Sequence, residues 1–350
     1  MADPLVLVPT RPDDMLLEAC SGLRLLRLDE QDDPDAALAE HGAAVTAVAN
    51  PGEGPLGADL LDRLPNLQII SHFGVGYETV DVDAAVERGI VVTNVGGSND
   101  EEVADIALSL LLMTVRELGR AERYLRAGRW EAEGPFPSCP TSLRGRRLGL
   151  LGIGAIGQAI ARRAQAFGLE VAYHARTERP DLDLQYVGSL LELAHQVDVL
   201  VVAVPGGPAT RHLVDAEVLA ALGPHGVLVN IARGSVVDQG ALVHALRSGA
   251  LLGAGLDVFE DEPHVPEELL ALDGAVLLPH VGSASVPTRR DMAALGARNL
   301  TAWFEDRTVL TPVPEARGLA ERVQGARAHA DRADADRGLA DPAGADRTGG

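Results

Sequence analysis

The sequence predicts an α/β protein made of two doubly wound domains, each built on a parallel β-sheet. Short apolar runs alternate with amphipathic helical stretches from the first residues onward, as in a parallel sheet covered by helices on both faces. An apolar run at residues 148–151 leads into a Gly-x-Gly-x-x-Gly turn at residues 152–157, the arrangement that opens a dinucleotide-binding fold. At 350 residues, the chain is long enough for two domains of ordinary size.

The first sheet is predicted from short runs rich in β-branched and aliphatic residues, at residues 5–8, 23–28, 45–49, 67–72 and 90–94. Acidic starts and helical spacing predict helices at residues 59–64 and 81–88. A long helix is then expected from the N-cap Ser98 to about Gly128, because its first turn is acidic and one face stays apolar. Residues 133–142 are rich in Pro and Gly and are expected to form a loop.

A second series of strands is predicted at residues 148–151, 170–173, 197–204, 226–231, 252–256 and 276–278. Helices are predicted between them at residues 156–167, 189–195, 215–222 and 238–248, and a last helix at residues 287–304. This order is typical of a doubly wound dinucleotide-binding domain.

The domain organisation follows from these two series. Residues 1–98 and 285–315 are expected to form a flavodoxin-like substrate domain from both chain ends, with residues 99–284 inserted as a Rossmann cofactor domain. Residues 316–350 contain no aromatic residue and only three large aliphatic ones, so a disordered tail is expected there.

Composition excludes several classes of function. The net charge of -21 argues against nucleic acid or an anionic membrane as a partner. The sequence contains no lysine, which excludes Schiff-base chemistry and the P-loop lysine. Cys20 and Cys139 are too few for a disulfide framework or a four-cysteine zinc site; a cytoplasmic protein without a structural metal is expected. No signal peptide is expected, because residues 1–9 lack a basic region followed by a long apolar stretch, and no apolar run approaches the roughly 20 residues that span a bilayer.

The glycine turn is predicted to hold the pyrophosphate of a dinucleotide. Gly152 permits the tight turn, Gly154 lets the backbone approach the phosphates, and Gly157 lets the helix pack on the strand. The amides of Ala155 and Ile156 would then point at phosphate from the helix N-terminus.

The segment after the next strand indicates which dinucleotide is bound. No carboxylate stands at the tip of strand 170–173, where an NAD site holds the ribose hydroxyls. Arg176, Thr177 and Arg179 follow instead, and guanidinium groups suit a 2′-phosphate. NADP(H) is therefore expected to be preferred, with NAD(H) possible. The alternative is a solvated basic loop in which Glu178 takes part of the ribose role.

Three chemically distinct side chains, Arg233, Glu262 and His280, follow late apolar strands, at the edge where this fold places ligands. An imidazole beside a carboxylate can act as acid and base, because the carboxylate stabilises its protonated form. A guanidinium can bind a substrate carboxylate. Together with a nicotinamide, this set indicates reduction of a 2-keto acid. Ordinary ion pairing is the alternative.

The first domain contains a second candidate anion site, at residues 73–77. Its glycines allow exposed backbone amides to face a carboxylate in a nest-like turn, the alternative being a turn needed only for packing. The preceding His72 is interpreted as a packed histidine at a strand end.

The chain resembles the D-2-hydroxyacid dehydrogenase family over about residues 5–315. The motifs that carry the resemblance are residues 73–81, 152–157, 204–210, 230–238, 255–263 and 278–285. Within the family, residues 173–179, 188–194 and 277–285 most resemble NADPH-dependent hydroxypyruvate, glyoxylate and hydroxyphenylpyruvate reductases.

The resemblance implies roles for individual residues. Arg233 would hold the substrate's carboxylate and keto oxygen, and His280 would be the acid–base group with Glu262 as its partner. Val75 and Gly76 would offer their amides to that carboxylate. Asp257 and the carbonyl groups around Ile231 would lie near the nicotinamide amide. The remaining cofactor contacts would come from Val204, Pro205, Thr210, Ala232, Gly282 and Ser283.

The expected function is NADPH-dependent reduction of a small 2-keto acid, of the glyoxylate or hydroxypyruvate type, to the D-2-hydroxy acid in a cleft between the domains. An aryl-pyruvate or 2-ketogluconate reductase, or a non-enzymatic NAD(P)-sensing protein, remains an alternative. A homodimer is expected, because the helix at residues 98–128 is apolar nearly all round and two copies could bury each other.

Overall fold

The structure is a computed structural model that describes residues 4–52 and 54–327. The chain divides into two compact units. The first runs to Ser98 and resumes at Arg289, and the second is Asn99–Thr288. The first unit therefore resumes at Arg289, four residues after the predicted return at residue 285.

The first unit contains a five-stranded parallel sheet in the order β2-β1-β3-β4-β5. Its strands are β1 (Leu5–Val8), β2 (Arg24–Arg27), β3 (Val45–Asn50), β4 (Ile69–His72) and β5 (Val91–Thr93). Its first helices are α1 (Asp14–Ala19), α2 (Pro34–His41), α3 (Ala58–Leu61) and α4 (Val82–Glu87), with short 3-10 turns at Leu28–Glu30, Gly42–Ala44 and Pro314–Ala316. This strand order is the flavodoxin-like one.

The second unit contains a seven-stranded parallel sheet in the order β12-β11-β10-β9-β6-β7-β8. Its strands are β6 (Arg147–Leu151), β7 (Glu170–His174), β8 (Gln185–Tyr186), β9 (Val199–Val202), β10 (Val227–Asn230), β11 (Gly253–Leu256) and β12 (Ala275–Leu277). Its helices are α5 (Asp100–Val115), α6 (Leu118–Arg126), α7 (Arg129–Glu133), α8 (Ala155–Ala166), α9 (Leu190–Gln196), α10 (Ala216–Leu222), α11 (Gln239–Ser248) and α12 (Glu267–Leu270), with a 3-10 turn at Gly234–Val236.

Both sheets confirm the predicted fold class. The second has the Rossmann order with one further strand, β12, at its edge. All residues of β1 and of β9 are buried, as expected of strands covered on both faces. The last long helix, α13 (Val286–Asp306), begins at the end of the second unit and continues into the first.

The single long helix predicted for residues 98–128 is wrong. Glu117 adopts a left-handed conformation with φ 51°, so α5 ends at Val115 and two shorter helices follow. The N-cap is Asn99, while the hydroxyl of Ser98 donates to the carbonyl of Val95. Leucines 108, 110 and 111 of α5 are buried within the second unit's own core, so they do not supply the exposed face on which the dimer was predicted.

The prediction of disorder from residue 316 is wrong as far as residue 327. Residues 317–327 are helical, and Ala316 and Ala320 are buried. Leu319 and Val323 pack against the apolar cluster of the first unit that contains Trp303. The small alanine side chains let this helix pack closely against that cluster. The segment has few large aliphatic residues, so its hydrophobicity did not indicate a buried helix. Residues 328–350 lie outside the described residues. Within the described part of the chain, no helix has the length and apolar character needed to cross a membrane.

Candidate active site

The predicted site residues of the second unit follow neighbouring strands of one sheet. Arg233 follows β10, Asp257 follows β11 and His280 follows β12. Because the carboxyl ends of parallel strands meet at the same edge, these residues share one edge with the glycine turn after β6.

His280 and Glu262 form a hydrogen-bonded pair. The Nδ1 atom of His280 lies 2.7 Å from Oε2 of Glu262, and the Phe259 N–H donates to Oε1 at 2.9 Å. Burial disfavours the ionised Glu262 carboxyl, but the hydrogen bonds from His280 and from the Phe259 N–H, together with the positive charges of His280 and Arg233, outweigh burial and lower its pKa. Glu262 is therefore a carboxylate that fixes the orientation of the imidazole.

The backbone at His280 is held in an uncommon conformation. Its φ is 52°, and its N–H donates to the carbonyl of Asp257 at 2.9 Å. The Asp257 side chain is buried and accepts hydrogen bonds from the N–H groups of Val281 (2.7 Å) and Gly282 (2.8 Å). Burial raises the pKa of Asp257 despite these two donors. Asp257 thus anchors the segment that carries His280, and its contact with a nicotinamide amide stays a prediction.

Arg233 lies close to this pair. Its positive charge contributes to the lowered pKa of Glu262. Its guanidinium also donates to the carbonyl of Ala232 at 2.7 Å. A Cβ at Gly234 would lie 1.9 Å from the carbonyl carbon of Phe259, so only glycine lets the Arg233 turn contact the loop that carries Glu262. Gly234 is a positioning residue that sequence reasoning did not single out; its place directly after Arg233 was the available signal.

The glycine turn has the shape that a dinucleotide needs. Gly152 has φ 99°, and a Cβ there would lie 2.5 Å from the carbonyl oxygen of Ala203. A Cβ at Gly157 would lie 2.4 Å from the carbonyl oxygen of Gly152. At Gly154 the space is open, and no described side chain caps the helix that starts with Ala155 and Ile156. These residues therefore fit a pyrophosphate at the start of α8.

The predicted 2′-phosphate segment lies at the end of β7, beside the glycine turn, because the N–H of Gly152 donates to the carbonyl of His174 at 2.9 Å. Arg176 and Thr177 are exposed. Arg179 makes two hydrogen bonds to Asp181, of 2.8 and 2.7 Å, so a phosphate would have to compete with this carboxylate for it.

The remaining predicted cofactor residues lie at the same edge. The hydroxyl of Thr210 donates to the carbonyl of Pro205 at 2.7 Å, which closes the loop that begins at Val204. Ile231 and Ala232 are buried at the end of β10, and Ser283 follows Gly282. A hydrogen-bonded His212–Glu260 pair joins the Thr210 loop to the Glu262 loop, and sequence reasoning missed it. The described residues contain no group of His, Cys, Asp and Glu side chains that could hold a metal ion.

In the first unit, three consecutive carbonyl groups of the turn after β4 are hydrogen-bonded. The Gly74 carbonyl accepts from the Val95 N–H at 3.2 Å, and the Val75 carbonyl accepts from Nδ2 of Asn94 at 2.7 Å. The Gly76 carbonyl accepts from Nε2 of His72 at 2.8 Å. Carboxylate binding by the amides of Val75 and Gly76 stays a prediction.

The fold and the site define a nicotinamide-dependent dehydrogenase of the two-domain type. Residues 108–282 match the family model for the NAD-binding domain of D-isomer specific 2-hydroxyacid dehydrogenases. The chain belongs to this family, which confirms the resemblance inferred from the sequence.

Known relatives agree with this assignment. Glyoxylate/hydroxypyruvate reductase A of Arabidopsis thaliana is 45% identical over 83% of this chain and 92% of its own length. Hydroxyphenylpyruvate reductase of Plectranthus scutellarioides is 45% identical over 79% of this chain and 88% of its own length. The crystal structure of an NADPH-dependent glyoxylate/hydroxypyruvate reductase from Sinorhizobium meliloti, in complex with NADP and malonate, has a TM-score of 0.85 at 50% identity, covering 90% of this chain and 98% of that one.

Proposed function

We propose that this protein is an NADPH-dependent reductase that converts a small 2-keto acid, of the glyoxylate or hydroxypyruvate type, to the D-2-hydroxy acid. The observation that carries the proposal is the His280–Glu262 pair, with Arg233 close by, at the sheet edge that also holds the glycine turn. A non-enzymatic sensor needs no acid–base pair at that edge.

NADPH, when bound, supplies the hydride. Arg233 binds the substrate's carboxylate and polarises its keto oxygen, because a guanidinium can donate to both groups at once. His280 in its protonated form donates from Nε2 to the oxygen that becomes the alcohol. Glu262 accepts from Nδ1 and stabilises the imidazolium. The amides of Val75 and Gly76 are proposed as further donors to the carboxylate.

NADPH is bound in preference to NADH. The glycine turn holds the pyrophosphate through the N–H groups of Ala155 and Ile156. Arg176 and Thr177, exposed at the end of β7, contact the 2′-phosphate, and Arg179 joins them once Asp181 releases it. NADH lacks this phosphate and loses these contacts.

A steady-state assay tests the proposal. Purified protein is mixed with NADPH or NADH and with glyoxylate, hydroxypyruvate, phenylpyruvate or 2-ketogluconate, and cofactor oxidation is followed. We expect glyoxylate or hydroxypyruvate with NADPH to give the highest kcat/KM. Preference for phenylpyruvate or 2-ketogluconate would reassign the substrate, and no oxidation with any keto acid would reject the function.

A homodimer is proposed on a surface different from the predicted one. Leu118, Leu125 and Trp130 of α6 and α7 are 45%, 55% and 61% exposed, which is unusual for large apolar side chains grouped on adjacent short helices. Light scattering on Leu125→Arg tests this surface, with the equally exposed Leu270→Arg as control. A dimer lost only in the Leu125 variant is expected; a monomeric unmodified protein, or a dimer that survives Leu125→Arg, would reject this interface.

A cytoplasmic location is proposed because both thiols are free and one is protected. Burial raises the pKa of Cys20 to about 11, which keeps it a thiol, while Cys139 is partly exposed. Cell fractionation tests the location; recovery in a secreted fraction would reject it.

A further inference from the structure

His72 uses both of its ring nitrogens in the core of the first unit. The side chain is 1% exposed, and its Nε2 lies 2.8 Å from the carbonyl oxygen of Gly76. Its Nδ1 lies 2.9 Å from Nδ2 of Asn50. A carbonyl only accepts, so Nε2 carries the proton of this hydrogen bond. The interpretation of His72 as a residue that merely packs was therefore incomplete.

The two contacts of the Asn50 side chain agree on the orientation of its amide group. Its Oδ1 accepts from the N–H of Gly52 at 3.2 Å, which leaves Nδ2 to donate to His72. A continuous chain of hydrogen bonds thus joins the turn after β3 to the turn after β4. The ring of His72 is its central link.

In the turn after β4, the carbonyl groups point towards their hydrogen-bond donors within the first unit, and the N–H groups point the opposite way. In a trans peptide the N–H points opposite to the preceding carbonyl. The hydrogen-bonded carbonyls of residues 74, 75 and 76 therefore turn outward the N–H groups of Val75, Gly76 and Tyr77. None of these three amides donates to a described residue, although the residues are only partly exposed. Partly exposed N–H groups of this kind pair with water or with a ligand, and a carboxylate is a strong acceptor that can take several of them at once.

Gly74 lies against the ring of His72 and leaves no room for a side chain. A Cβ at this position would lie 2.6 Å from Nε2 of His72. Because Nε2 is the atom that holds the Gly76 carbonyl, a side chain at position 74 would displace the ring or break that hydrogen bond.

We propose that His72 is a positioning residue for the substrate carboxylate: it fixes the peptide between Gly76 and Tyr77 so that the Tyr77 amide becomes a third donor beside those of Val75 and Gly76. This inference rests on the proposed function, since it names the groups that receive the keto acid's carboxylate. His72 contacts the turn and acts through it.

The test compares three variants. His72→Phe keeps a ring and removes both hydrogen bonds, and Gly74→Ala disturbs the ring through the Cβ contact. Ser71→Ala is the matched control: Ser71 is equally buried on the preceding position of β4, but its hydroxyl donates to the carbonyl of Gly296 instead. We expect His72→Phe and Gly74→Ala to raise the KM for the keto acid roughly tenfold, the scale of one lost hydrogen bond. The kcat and the KM for NADPH should change less than about twofold, and Ser71→Ala should change none of the three.

A binding measurement separates this inference from the proposed function. Malonate, a dicarboxylate, is titrated into the isotope-labelled protein while the amide resonances of Val75, Gly76 and Tyr77 are followed. We expect all three to move in the unmodified protein and in Ser71→Ala, and to move only weakly in His72→Phe. Unmoved resonances in the unmodified protein, an unchanged KM in folded His72→Phe, or an equal effect of Ser71→Ala would overturn the role of His72. An unmodified protein that oxidises no NADPH, but shows the resonance shifts, would reject the function and leave the carboxylate site standing.

Discussion

Replacing Glu262 by glutamine tests whether the Glu262 carboxylate stabilises the protonated form of His280. The substitution keeps the shape of the side chain and the contact with His280, but removes the charge that faces Nδ1 at 2.7 Å. A hydrogen bond to a charged group is worth about 1.5–3 kcal/mol. The pair is partly solvated, with side chains 49% and 34% exposed, so the lower end of this range applies. At about 1.4 kcal/mol for each factor of ten, we expect kcat/KM to fall roughly tenfold to thirtyfold.

The direction of the pH effect follows from the same contact. Keto acid reduction needs the protonated imidazole, which the carboxylate stabilises. Because the pKa of Glu262 is lowered, its charge is present throughout the neutral range. In Glu262→Gln this charge is missing, so the loss of kcat/KM at high pH should begin at a lower pH than in the unmodified enzyme.

The assay is NADPH oxidation with the best keto acid, measured across pH for both enzymes. Glu260→Gln is the control, because Glu260 lies two residues away and pairs with His212 instead. Its profile should keep the unmodified shape. Full activity and an unshifted profile in Glu262→Gln, or an equal shift in Glu260→Gln, would show that the Glu262 carboxylate does not support His280 as the acid.

Three further outcomes are expected. His280→Gln should lower kcat at least about a hundredfold while NADPH affinity, measured by fluorescence, changes little; near-normal turnover would exclude His280 as the acid. Asp181→Asn should free Arg179 and raise the ratio of NADPH to NADH kcat/KM several-fold, and a fall in that ratio would place the arginine away from the phosphate. Ala320→Asp should destabilise the first unit by about 2–3 kcal/mol and lower its melting temperature by several degrees, because it buries a charge. Ala326 is exposed, so Ala326→Asp should leave the melting temperature unchanged. Equal melting temperatures of the two variants would mean that the helix at residues 317–327 does not pack against the first unit.

Most strands could be predicted from the sequence, because buried parallel strands are continuous apolar runs. The predicted run at residues 5–8 is strand β1, and that at residues 45–49 is β3 with one more residue. The two-residue β8 and the four-residue α12 carry too little periodicity to be recognised.

The helix errors have a different cause. Nothing local marks Glu117 for a left-handed conformation, so an apolar pattern that continued past it was taken as one helix. The helix at residues 317–327 escaped notice because alanine contributes little to hydrophobicity, yet Ala320 is 2% exposed. In both segments, tertiary packing rather than local sequence determines where the helix forms or ends.

The site was predictable where chemistry and strand ends coincide, and less so elsewhere. His280 and Glu262 could be paired because each follows a strand of one parallel sheet. The Asp257 contacts to Val281 and Gly282, and the chain through Asn50 and His72, depend on turns brought together by the fold. No sequence spacing encodes those distances.

Isotope-labelled cofactor shows whether the enzyme transfers a hydride from NADPH to C2 of a keto acid. NADPH carrying deuterium in the transferable position at nicotinamide C4 is incubated with hydroxypyruvate and the enzyme, and the product is examined by mass spectrometry and chiral chromatography. We expect a D-2-hydroxy acid with one deuterium at C2, formed in a one-to-one ratio with oxidised cofactor. An unlabelled product, the L-isomer, or no product with any keto acid tested would contradict it.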